Sequence, residues 1–159
     1  MTGEVVIRRA AVADAEAGAR MHVQCWREAY AGIVPARALA DFTADEAAWV
    51  QRWRTQIEAG VPRFLALRDG EVVGFAAAGP DREGVSVIPV LYAIYVRRSE
   101  YGTGLAQRLL DQSIGDGPAT LWVLADNPRA VAFYTRNGFV PTGETRVELE
   151  ARVIAMARG

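Results

Sequence analysis

The sequence predicts an α/β fold in which helices flank a mixed β-sheet. The chain has 159 residues, 51% of them hydrophobic, so it is long enough to bury roughly two-thirds of its unfolded surface. Apolar runs of strand length alternate with helical patterns, and no linker or repeat interrupts them. Hairpins in the middle require antiparallel pairs, whereas strands separated by a helix favour parallel crossovers. We therefore predict a single domain over 1–159 with the order β-α-α-β-β-β-α-β-α-β-β.

The N-terminal third predicts one strand and two helices. Residues 5–8 form a short apolar run that fits a first strand. Asp14 stands where a helix cap or a first-turn acid belongs. One face of the helix that follows is apolar, with residues four, three and four apart: Ala19, Val23, Trp26 and Tyr30. Gly32 and Pro35 end this helix, and a second helix is predicted over about 45–59.

The middle of the chain predicts strands. The segment "RFLALRDGEVVGFAAAG" contains two apolar runs around Asp69-Gly70, a dipeptide typical of a β-hairpin turn. The segment "VSVIPVLYAIYV", residues 85–96, predicts one long strand. Pro89 is expected to mark a bulge or kink in this strand, because proline cannot donate to a hydrogen-bond ladder.

The last third predicts two helices, each of which follows a strand. The first helix runs over about 104–114. A short buried strand, "TLWVLAD", precedes the second helix, for which Asn127 is the N-cap, Pro128 the first residue and Gly138 the C-terminal stop. The remainder, to Met156, alternates like two final strands.

Composition and charge argue against several classes of protein. The net charge is −1, with 18 basic and 19 acidic side chains, so we expect no nucleic-acid partner and no membrane partner. Cys25 is the single cysteine, which excludes an intrachain disulfide and argues against a cysteine-based metal site. No apolar run has the length of a membrane span, and the N-terminus lacks the apolar core of a secretory signal. We therefore expect a soluble, cytoplasmic protein without a metal.

The segment "YVRRSEYGTGLAQRLLD", residues 95–111, places a glycine-spaced turn at the start of a helix. A P-loop requires Gly-Lys-Ser/Thr, but here Gly104 precedes Leu105. A dinucleotide-binding fingerprint requires glycine at the position of Gln107. From these residues alone two interpretations stay open. The glycines either serve a tight turn, or they let backbone N–H groups and the helix dipole bind a pyrophosphate.

Three stretches together resemble the GCN5-related N-acetyltransferase (GNAT) superfamily, in particular its bacterial small-molecule-type members. The turn over 101–106 is similar to the family's acetyl-CoA loop, Gln/Arg-x-x-Gly-x-Gly/Ala, and it follows the strand "LYAIYV". The later signature, with Asn at a helix start and Phe-Tyr inside the helix, is similar to "WVLADNPRAVAFYTRNGF". "HVQCWREAYAGIVP" is similar to the first helical region of many members. Tyr101 departs from the pattern, because it stands where the family has Gln or Arg.

The resemblance implies a twisted, mostly antiparallel sheet of about seven strands with about four helices. It also implies that acetyl-CoA, as co-substrate, lies where the fourth and fifth strands splay apart. Backbone groups of Ile94 and Val96 are expected to pair with the pantetheine arm, and residues 102–106 to hold the pyrophosphate. The residues assigned to the cofactor are Ile94, Tyr95, Val96, Tyr101, Gly102, Thr103, Gly104, Leu105, Ala106, Asn127, Arg129 and Tyr134.

The resemblance assigns catalytic roles to Ile94 and Tyr134. The Ile94 N–H is expected to stabilise the oxyanion of the tetrahedral intermediate, and the Tyr134 phenol to protonate the departing CoA thiolate. Core packing is the alternative for Tyr134, which shares a helical face with Phe133. Asn127 fits both a plain N-cap and a pantetheine contact. Arg129 fits both a phosphate contact and a solvated charge.

No residue is assigned as the general base. Many family members carry a glutamate at the position of Val90, and residues 85–96 contain no carboxylate. A water chain ending at Tyr92 is one candidate, because strand alternation places Tyr92 on the same face as Val90 and Ile94. The other candidates are carboxylates outside this strand: Asp81, Glu83, Glu144 and Glu148.

The first helix and the loop after it are expected to line the acceptor site. The predicted substrate-binding residues there and on the long strand are Trp26, Tyr30, Ile33 and Tyr92. Core packing is the alternative for Trp26. We interpret His22 as a packing or surface histidine rather than a base, and Cys25 as a small buried hydrophobe.

These assignments predict an enzyme that transfers the acetyl group of acetyl-CoA to a primary amine, expected to belong to a small molecule. Direct attack in a ternary complex is favoured, because Cys25 lies outside both motifs. The alternative is a non-catalytic acyl-CoA-binding or sensor domain of the same fold, which Val90 and Tyr101 favour. The alternation of the last two strands fits both a homodimer and the sheet edge of a monomer.

Overall fold

The computed structural model describes residues 3–159, in which one seven-stranded sheet is covered by five α-helices. The strands are β1 (Val5–Arg9), β2 (Arg63–Arg68), β3 (Glu71–Gly79), β4 (Val90–Val96), β5 (Ala119–Leu124), β6 (Val140–Glu148) and β7 (Ala151–Arg158). The helices are α1 (Ala15–Tyr30), α2 (Ala36–Thr43), α3 (Glu46–Glu58), α4 (Leu105–Ser113) and α5 (Pro128–Arg136). Short 3-10 turns at Val12–Asp14 and Arg98–Glu100 precede α1 and α4.

The sheet has the strand order β1-β2-β3-β4-β5-β7-β6, and its neighbouring pairs are antiparallel except β4–β5. The predicted mixed, mostly antiparallel sheet of seven strands is therefore confirmed. Asp69 and Gly70 both have positive φ, 53° and 80°, as a tight type I′ hairpin between β2 and β3 requires. Asn127 caps α5 as predicted, because its side chain accepts a hydrogen bond from the Ala130 N–H at 3.3 Å.

Helix α2 is not in the predicted order of elements, and it brings the helices of residues 3–159 to five where about four are expected. Pro35, predicted only as a helix stop, is also the N-cap residue of α2. The buried face of α2 brings Leu39 into a cluster with Val34, Leu124 and Val153. A proline can end one helix and precede the next, so residues 31–35 carry both signals within one short loop.

Strand β4 begins at Val90, so the prediction of one strand over 85–96 that bends at Pro89 is wrong. The residues before Pro89 form a loop, which is organised by the Asp81 carboxylate. This carboxylate accepts hydrogen bonds from three backbone N–H groups at 3.0 to 3.1 Å, those of Glu83, Val85 and Ser86.

A bulge lies inside β4, at Tyr92. Ala77 of β3 pairs with Ala93, whereas Ala78 pairs with Leu91, which leaves Tyr92 as the extra residue. Tyr92 therefore packs on the side of α1 and α3, whereas Ile94 packs on the opposite face of the sheet. The prediction that Tyr92 shares a face with Ile94 is wrong, because the bulge breaks the strand's alternation.

The parallel strands β4 and β5 separate soon after they meet. Within residues 3–159, Val90–Thr120 is the one register pair between them, supported by the Thr120 N–H, which donates to the Pro89 carbonyl at 3.1 Å. Beyond this pair a gap opens between the two strands. The predicted splay between the fourth and fifth strands is thus part of the fold.

Helices cover both faces of the sheet. α1 and α3 pack on one face, around a core that contains Trp49, Trp53 and Phe75. α4 and α5 pack on the other face. Gly18 lets α1 approach α3 closely, because a Cβ at this position would lie 2.2 Å from the Trp53 ring. This arrangement leaves the β4–β5 gap open between the two helical layers.

Candidate active site

A cleft of about 1290 Å³ occupies the β4–β5 gap and extends to the ends of α1, α4 and α5. Most of the residues predicted for the site line it: Trp26, Tyr30, Tyr92, Ile94, Tyr95, Val96, Tyr101, Gly102, Gly104, Leu105, Ala106, Asn127, Arg129 and Tyr134. The structure places Thr103 and Ile33 outside this lining. Ile33 packs instead beside α2, in the cluster that contains Val34 and Leu39.

The turn before α4 is built for close approach of a ligand to the backbone. Gly102 and Gly104 have φ of 80° and 85°, in the left-handed region that favours glycine. A Cβ at either position would meet no protein atom within 4 Å, so both backbones face open space. The first N–H groups of α4 have no intrahelical partner and carry the positive end of the helix dipole. The loop can therefore bind an anionic group through its main chain.

Tyr101 and Arg129 meet across the mouth of the cleft. The Arg129 guanidinium carbon lies 3.5 Å from the centroid of the Tyr101 ring, a close cation–π contact. Arg129 is on the first turn of α5, and Tyr101 precedes the glycine turn. The residue that departs from the family pattern thus positions a cation beside the loop.

An ion pair between a buried carboxylate and a half-buried arginine anchors the turn to the sheet. Glu100 is 5% exposed, and its carboxylate accepts two hydrogen bonds from Arg68 of β2, at 2.8 and 2.9 Å. The Arg68 guanidinium holds the pKa of Glu100 below its ordinary value. The Thr103 hydroxyl donates to the Glu100 carbonyl at 2.7 Å. Thr103 therefore shapes the turn from outside the cleft.

The backbone of β4 offers polar groups to the gap. The Arg97 N–H donates to the Val73 carbonyl at 2.8 Å, and opposite residues of an antiparallel pair alternate between bonded and non-bonded positions. Tyr95, two residues before, therefore bonds to β3. The N–H and C=O groups of Ile94 and Val96 point the other way, toward β5, with which neither residue pairs anywhere in the described chain.

Tyr134 reaches the cleft from α5. Its side chain is 9% exposed and packs against Phe139, with ring centroids 5.8 Å apart. Burial and the nearby Tyr30 raise its pKa. Its hydroxyl has no hydrogen-bond partner among residues 3–159, although the ring lines the cleft. A protonated phenol is thus available at the gap.

A hydrogen-bonded pair of tyrosines lines the same cleft as Tyr134. Tyr30 of α1 and Tyr95 of β4 share a hydrogen bond of 2.5 Å between their hydroxyl oxygens. Burial raises the pKa of Tyr30 to about 12, although the bond to Tyr95 opposes this rise. Burial also raises the pKa of Tyr95. Trp26 packs against Tyr30 at 4.7 Å between centroids. Tyr30 is predicted for the acceptor site and Tyr95 for the cofactor site, and the spacing of the two residues in the sequence gives no sign that their hydroxyls meet.

The four carboxylates considered as bases all line the cleft: Asp81, Glu83, Glu144 and Glu148. Asp81 is poorly suited to accept a proton, because its three backbone hydrogen bonds lower its pKa. Glu148 is paired with Arg146 at 3.1 Å, and its negative charge contributes to the raised pKa of Tyr30. Tyr92 donates its hydroxyl to the Pro80 carbonyl.

His22 and Cys25 lie in the packed layer behind the cleft. His22 is surrounded by aromatic rings, with Trp49 and Phe75 at 4.8 and 4.6 Å between centroids. Burial lowers the pKa of His22 well below its ordinary value. The imidazole is therefore uncharged and packs among the aromatic rings. Burial raises the pKa of the Cys25 thiol to about 12, which leaves little nucleophilic thiolate at neutral pH.

The family model described as "Acetyltransferase (GNAT) family" matches residues 23–139, which include the cleft loop, β5 and α5. The chain belongs to the GNAT family. An uncharacterized N-acetyltransferase of Bacillus subtilis, YuaI, is 31% identical over 138 residues, which are 82% of this chain and 77% of that protein. The match confirms the predicted family and the enzyme class, an acetyl-CoA-dependent N-acetyltransferase.

Solved structures confirm the GNAT fold. The PaiA N-acetyltransferase of Thermoplasma acidophilum, solved with coenzyme A, has a TM-score of 0.73 and 16% identity, and the match covers 96% of this chain and 98% of that one. YncA of Salmonella typhimurium, solved with its cofactor acetyl-CoA, has a TM-score of 0.71 and 20% identity, with 97% and 92% covered.

In residues 3–159, no three His, Cys, Asp or Glu side chains group closely enough to hold a metal ion. No helix in the same part of the chain is both long and apolar enough to cross a membrane.

Proposed function

We propose that this GNAT protein binds acetyl-CoA in the β4–β5 gap and transfers the acetyl group to the primary amine of a small molecule. The observation that carries the proposal is the free edge of β4. Ile94 and Val96 direct backbone groups into a gap whose lining also includes Tyr134 and the two glycines of the turn, Gly102 and Gly104. An extended pantetheine arm can pair with such an edge like an added strand.

The residues of the site support direct transfer in a ternary complex. The amine nitrogen attacks the thioester carbonyl carbon, and the Ile94 N–H stabilises the oxyanion that forms. The C–S bond then breaks, and the Tyr134 hydroxyl gives its proton to the CoA thiolate. The amine loses one proton on becoming an amide, and carboxylates that line the cleft are available to receive it. An acetyl-cysteine intermediate is not favoured, because Cys25 is buried behind the site.

The acceptor is proposed to enter from the side of α1, where Trp26 and the Tyr30–Tyr95 pair border the cleft. These rings suit the apolar part of a small amine. We propose further that residues 1–159 form one catalytic domain that works in the cytoplasm.

A non-catalytic acyl-CoA-binding domain is the second candidate, and Val90 favours it. This position of β4 carries no carboxylate, and Glu148 is already paired with an arginine. Binding of acetyl-CoA without turnover of any amine distinguishes this candidate from the enzyme.

The first experiment follows thiol release from acetyl-CoA in the presence of a panel of primary amines. All 18 basic side chains are arginine, so the chain has no lysine of its own to acetylate. Thiol release without added amine is therefore expected to be low. Amine-dependent release supports transfer, whereas tight acetyl-CoA binding with no release for any amine supports the non-catalytic candidate.

The variant Ile94→Pro tests the role of the β4 edge. Proline removes the N–H that faces the gap but removes no bond to β3, since that N–H does not point to β3. We expect turnover to fall about 10²–10³-fold, as for loss of one oxyanion-hole donor. Ile94→Val, which keeps the N–H, is the control. Equal turnover by the two variants would remove Ile94 from the mechanism.

A further inference from the structure

Two tyrosine hydroxyls form a polar spot in the aromatic wall of the cleft. Tyr30 of α1 and Tyr95 of β4 are both half-buried, and both line the cleft. Their hydroxyl oxygens lie 2.5 Å apart, and neither oxygen has another hydrogen-bond partner within residues 3–159. A hydroxyl has one proton and two lone pairs. The pair therefore keeps one proton and several lone pairs unused, on side chains that line the cleft.

The polar atoms of the aromatic side chains behind this pair face one another rather than the cleft. The two ring nitrogens of His22 lie 3.2 and 3.1 Å from the indole nitrogens of Trp26 and Trp53. Trp26 packs against Tyr30, with ring centroids 4.7 Å apart. The Tyr30–Tyr95 pair thus supplies the unused hydrogen-bonding groups of this wall, and a polar atom that a ligand buries against the wall finds its partner there.

Tyr95 places the pair beside the reacting edge of β4. It lies between Ile94 and Val96, whose backbone groups point into the gap, whereas the backbone of Tyr95 bonds to β3. Its side chain packs on the α1 side of the sheet, where it stacks on Phe75 at 5.9 Å between centroids. This is the side from which the acceptor is proposed to enter. The hydroxyl pair therefore lies on the acceptor side, on the residue next to the N–H assigned to the oxyanion.

The proton of the attacking amine needs a path out of the site. Residues 85–96 contain no carboxylate, and of the carboxylates on other elements Asp81 is bonded to its own loop and Glu148 to an arginine. Two hydrogen-bonded hydroxyls can carry a proton, because each oxygen accepts one proton while it releases another. Burial raises the pKa of Tyr30 to about 12 and also raises that of Tyr95, so at neutral pH both phenols keep a proton and can only pass protons on.

We propose that the Tyr30–Tyr95 pair binds the nitrogen of the acceptor amine and carries its proton away. The inference rests on the proposed acetyl transfer. When the nitrogen has bonded to the thioester carbon, its N–H bond breaks and the proton goes to the Tyr95 oxygen. The Tyr95 proton passes to the Tyr30 oxygen, and the Tyr30 proton passes to water in the cleft, from which a lining carboxylate receives it. Both phenols end neutral, as they began, so the reaction needs no base on β4.

Removal of the two hydroxyls, singly and together, tests the path. Tyr95→Phe and Tyr30→Phe are each expected to lower kcat at least about 10²-fold, as for loss of a proton-transfer group, without a change in the Kd for acetyl-CoA. The double variant is expected to lose no more than either single variant, because one missing hydroxyl already interrupts the path. Losses that multiply in the double variant overturn the inference. Ser113→Ala, which removes a hydroxyl of α4 bonded to the Leu109 carbonyl, is the control and is expected to leave kcat unchanged.

Two acceptors of matched shape distinguish proton transfer from a packing role. Propargylamine and aminoacetonitrile have nearly the same shape, but the nitrile makes the nitrogen of aminoacetonitrile less basic. Its adduct with the thioester gives up a proton to water more readily and depends less on the pair. We expect the loss of kcat caused by Tyr95→Phe to be at least about tenfold smaller for aminoacetonitrile than for propargylamine. Equal losses for the two amines overturn the inference. If Tyr95→Phe does not fold, Tyr30→Phe, at the end of α1, decides by the same comparison.

A binding measurement separates this inference from the proposed function. The full chain, with its five tyrosine rings isotope-labelled, is titrated with propargylamine in the presence of CoA, and NMR signals are assigned with single Tyr→Phe variants. Larger shifts for Tyr30 and Tyr95 than for Tyr92 and Tyr101 support binding of the amine at the pair. If no amine is acetylated, the proposed function fails, and this titration alone decides whether the pair binds an amine. Signals of Tyr30 and Tyr95 that do not move overturn the inference.

Discussion

Tyr134 combines the properties expected of a general acid. It is nearly buried, it lines the cleft, and its pKa is raised by burial. Because the folded pKa lies above the ordinary value of about 10, the hydroxyl holds its proton throughout the neutral range. We therefore expect that ionisation of Tyr134 causes no loss of turnover as the pH rises toward the ordinary tyrosine pKa of about 10.

The variant Tyr134→Phe is expected to lower kcat about 10²–10⁴-fold, the usual contribution of a general acid. Acetyl-CoA affinity is expected to stay the same, because the ring and its packing remain. The measurement is steady-state thiol release together with calorimetric binding. Tyr101→Phe, which also removes a cleft hydroxyl, is the control. A Tyr134→Phe enzyme with the kcat of the wild type would return Tyr134 to a packing role.

The contact between Tyr101 and Arg129 predicts a specific effect on cofactor binding. Tyr101→Leu removes the ring that positions Arg129 and is expected to raise the Kd for acetyl-CoA about two- to fivefold, which corresponds to 0.5–1 kcal/mol for an exposed cation–π pair. Tyr101→Phe keeps the ring face and is expected to bind like the wild type. If the double variant Tyr101→Leu/Arg129→Met weakens binding by the product of the single effects, the two residues act independently.

Single residues also show where sequence analysis reaches its limit. The loop glycines and the Asn127 cap follow from local rules, because their roles depend on neighbours in the chain. The sequence leaves two roles for Arg129, a phosphate contact and a solvated charge. In the structure Arg129 stacks on Tyr101, a contact between two segments that only the tertiary fold brings together. The Tyr30–Tyr95 bond joins residues of α1 and β4 in the same way.

Among the structural elements, the turn before α4 is stabilised by the ion pair between Glu100 and Arg68. The pKa of Glu100 is lowered by Arg68, so the pair stabilises the fold above the unfolded pKa of the carboxyl group, about 4.3. This contribution is lost as the pH falls through the lower, folded pKa. Acid should therefore loosen the connection between the glycine turn and β2.

The variant Glu100→Gln tests this connection. We expect it to lower the free energy of unfolding at neutral pH by about 1.5–3 kcal/mol, the value of a hydrogen bond to a charged group. The loss should shrink on acidification below the unfolded pKa, when the wild type also loses the charge. Urea unfolding at several pH values measures both effects. Glu58→Gln, at the exposed end of α3, is the control, and an equal loss at every pH would argue against the ion pair.

The sequence misses helix α2 and places the start of β4 too early, for related reasons. Pro35 carries the signal of a helix end and also that of a helix start. Only the presence of helix α2 in the structure shows that both signals apply. Residues 85–88 have the composition of a strand, but they have no neighbour to pair with in the sheet and become a loop around Asp81. The bulge at Tyr92 leaves no mark on the alternating pattern of "VLYAIYV".

For the whole molecule, the strand number, the parallel pair and the gap agree with the prediction, because they follow from the order of strands and helices together with the family resemblance. The fold brings the free edge of β4, the glycine turn and Tyr134 to one cleft.

Calorimetric titration of the full chain with acetyl-CoA tests the central claim most directly, with NADH and ATP as comparison ligands. We expect acetyl-CoA to bind in the micromolar range with one site per chain, and NADH and ATP to give no comparable heat. Gly104→Ala should weaken binding, because its Cβ would project into the open loop, whereas Gly60→Ala, with a similar φ of 82° but away from the cleft, should not. Absence of acetyl-CoA binding by the folded wild type would contradict the account.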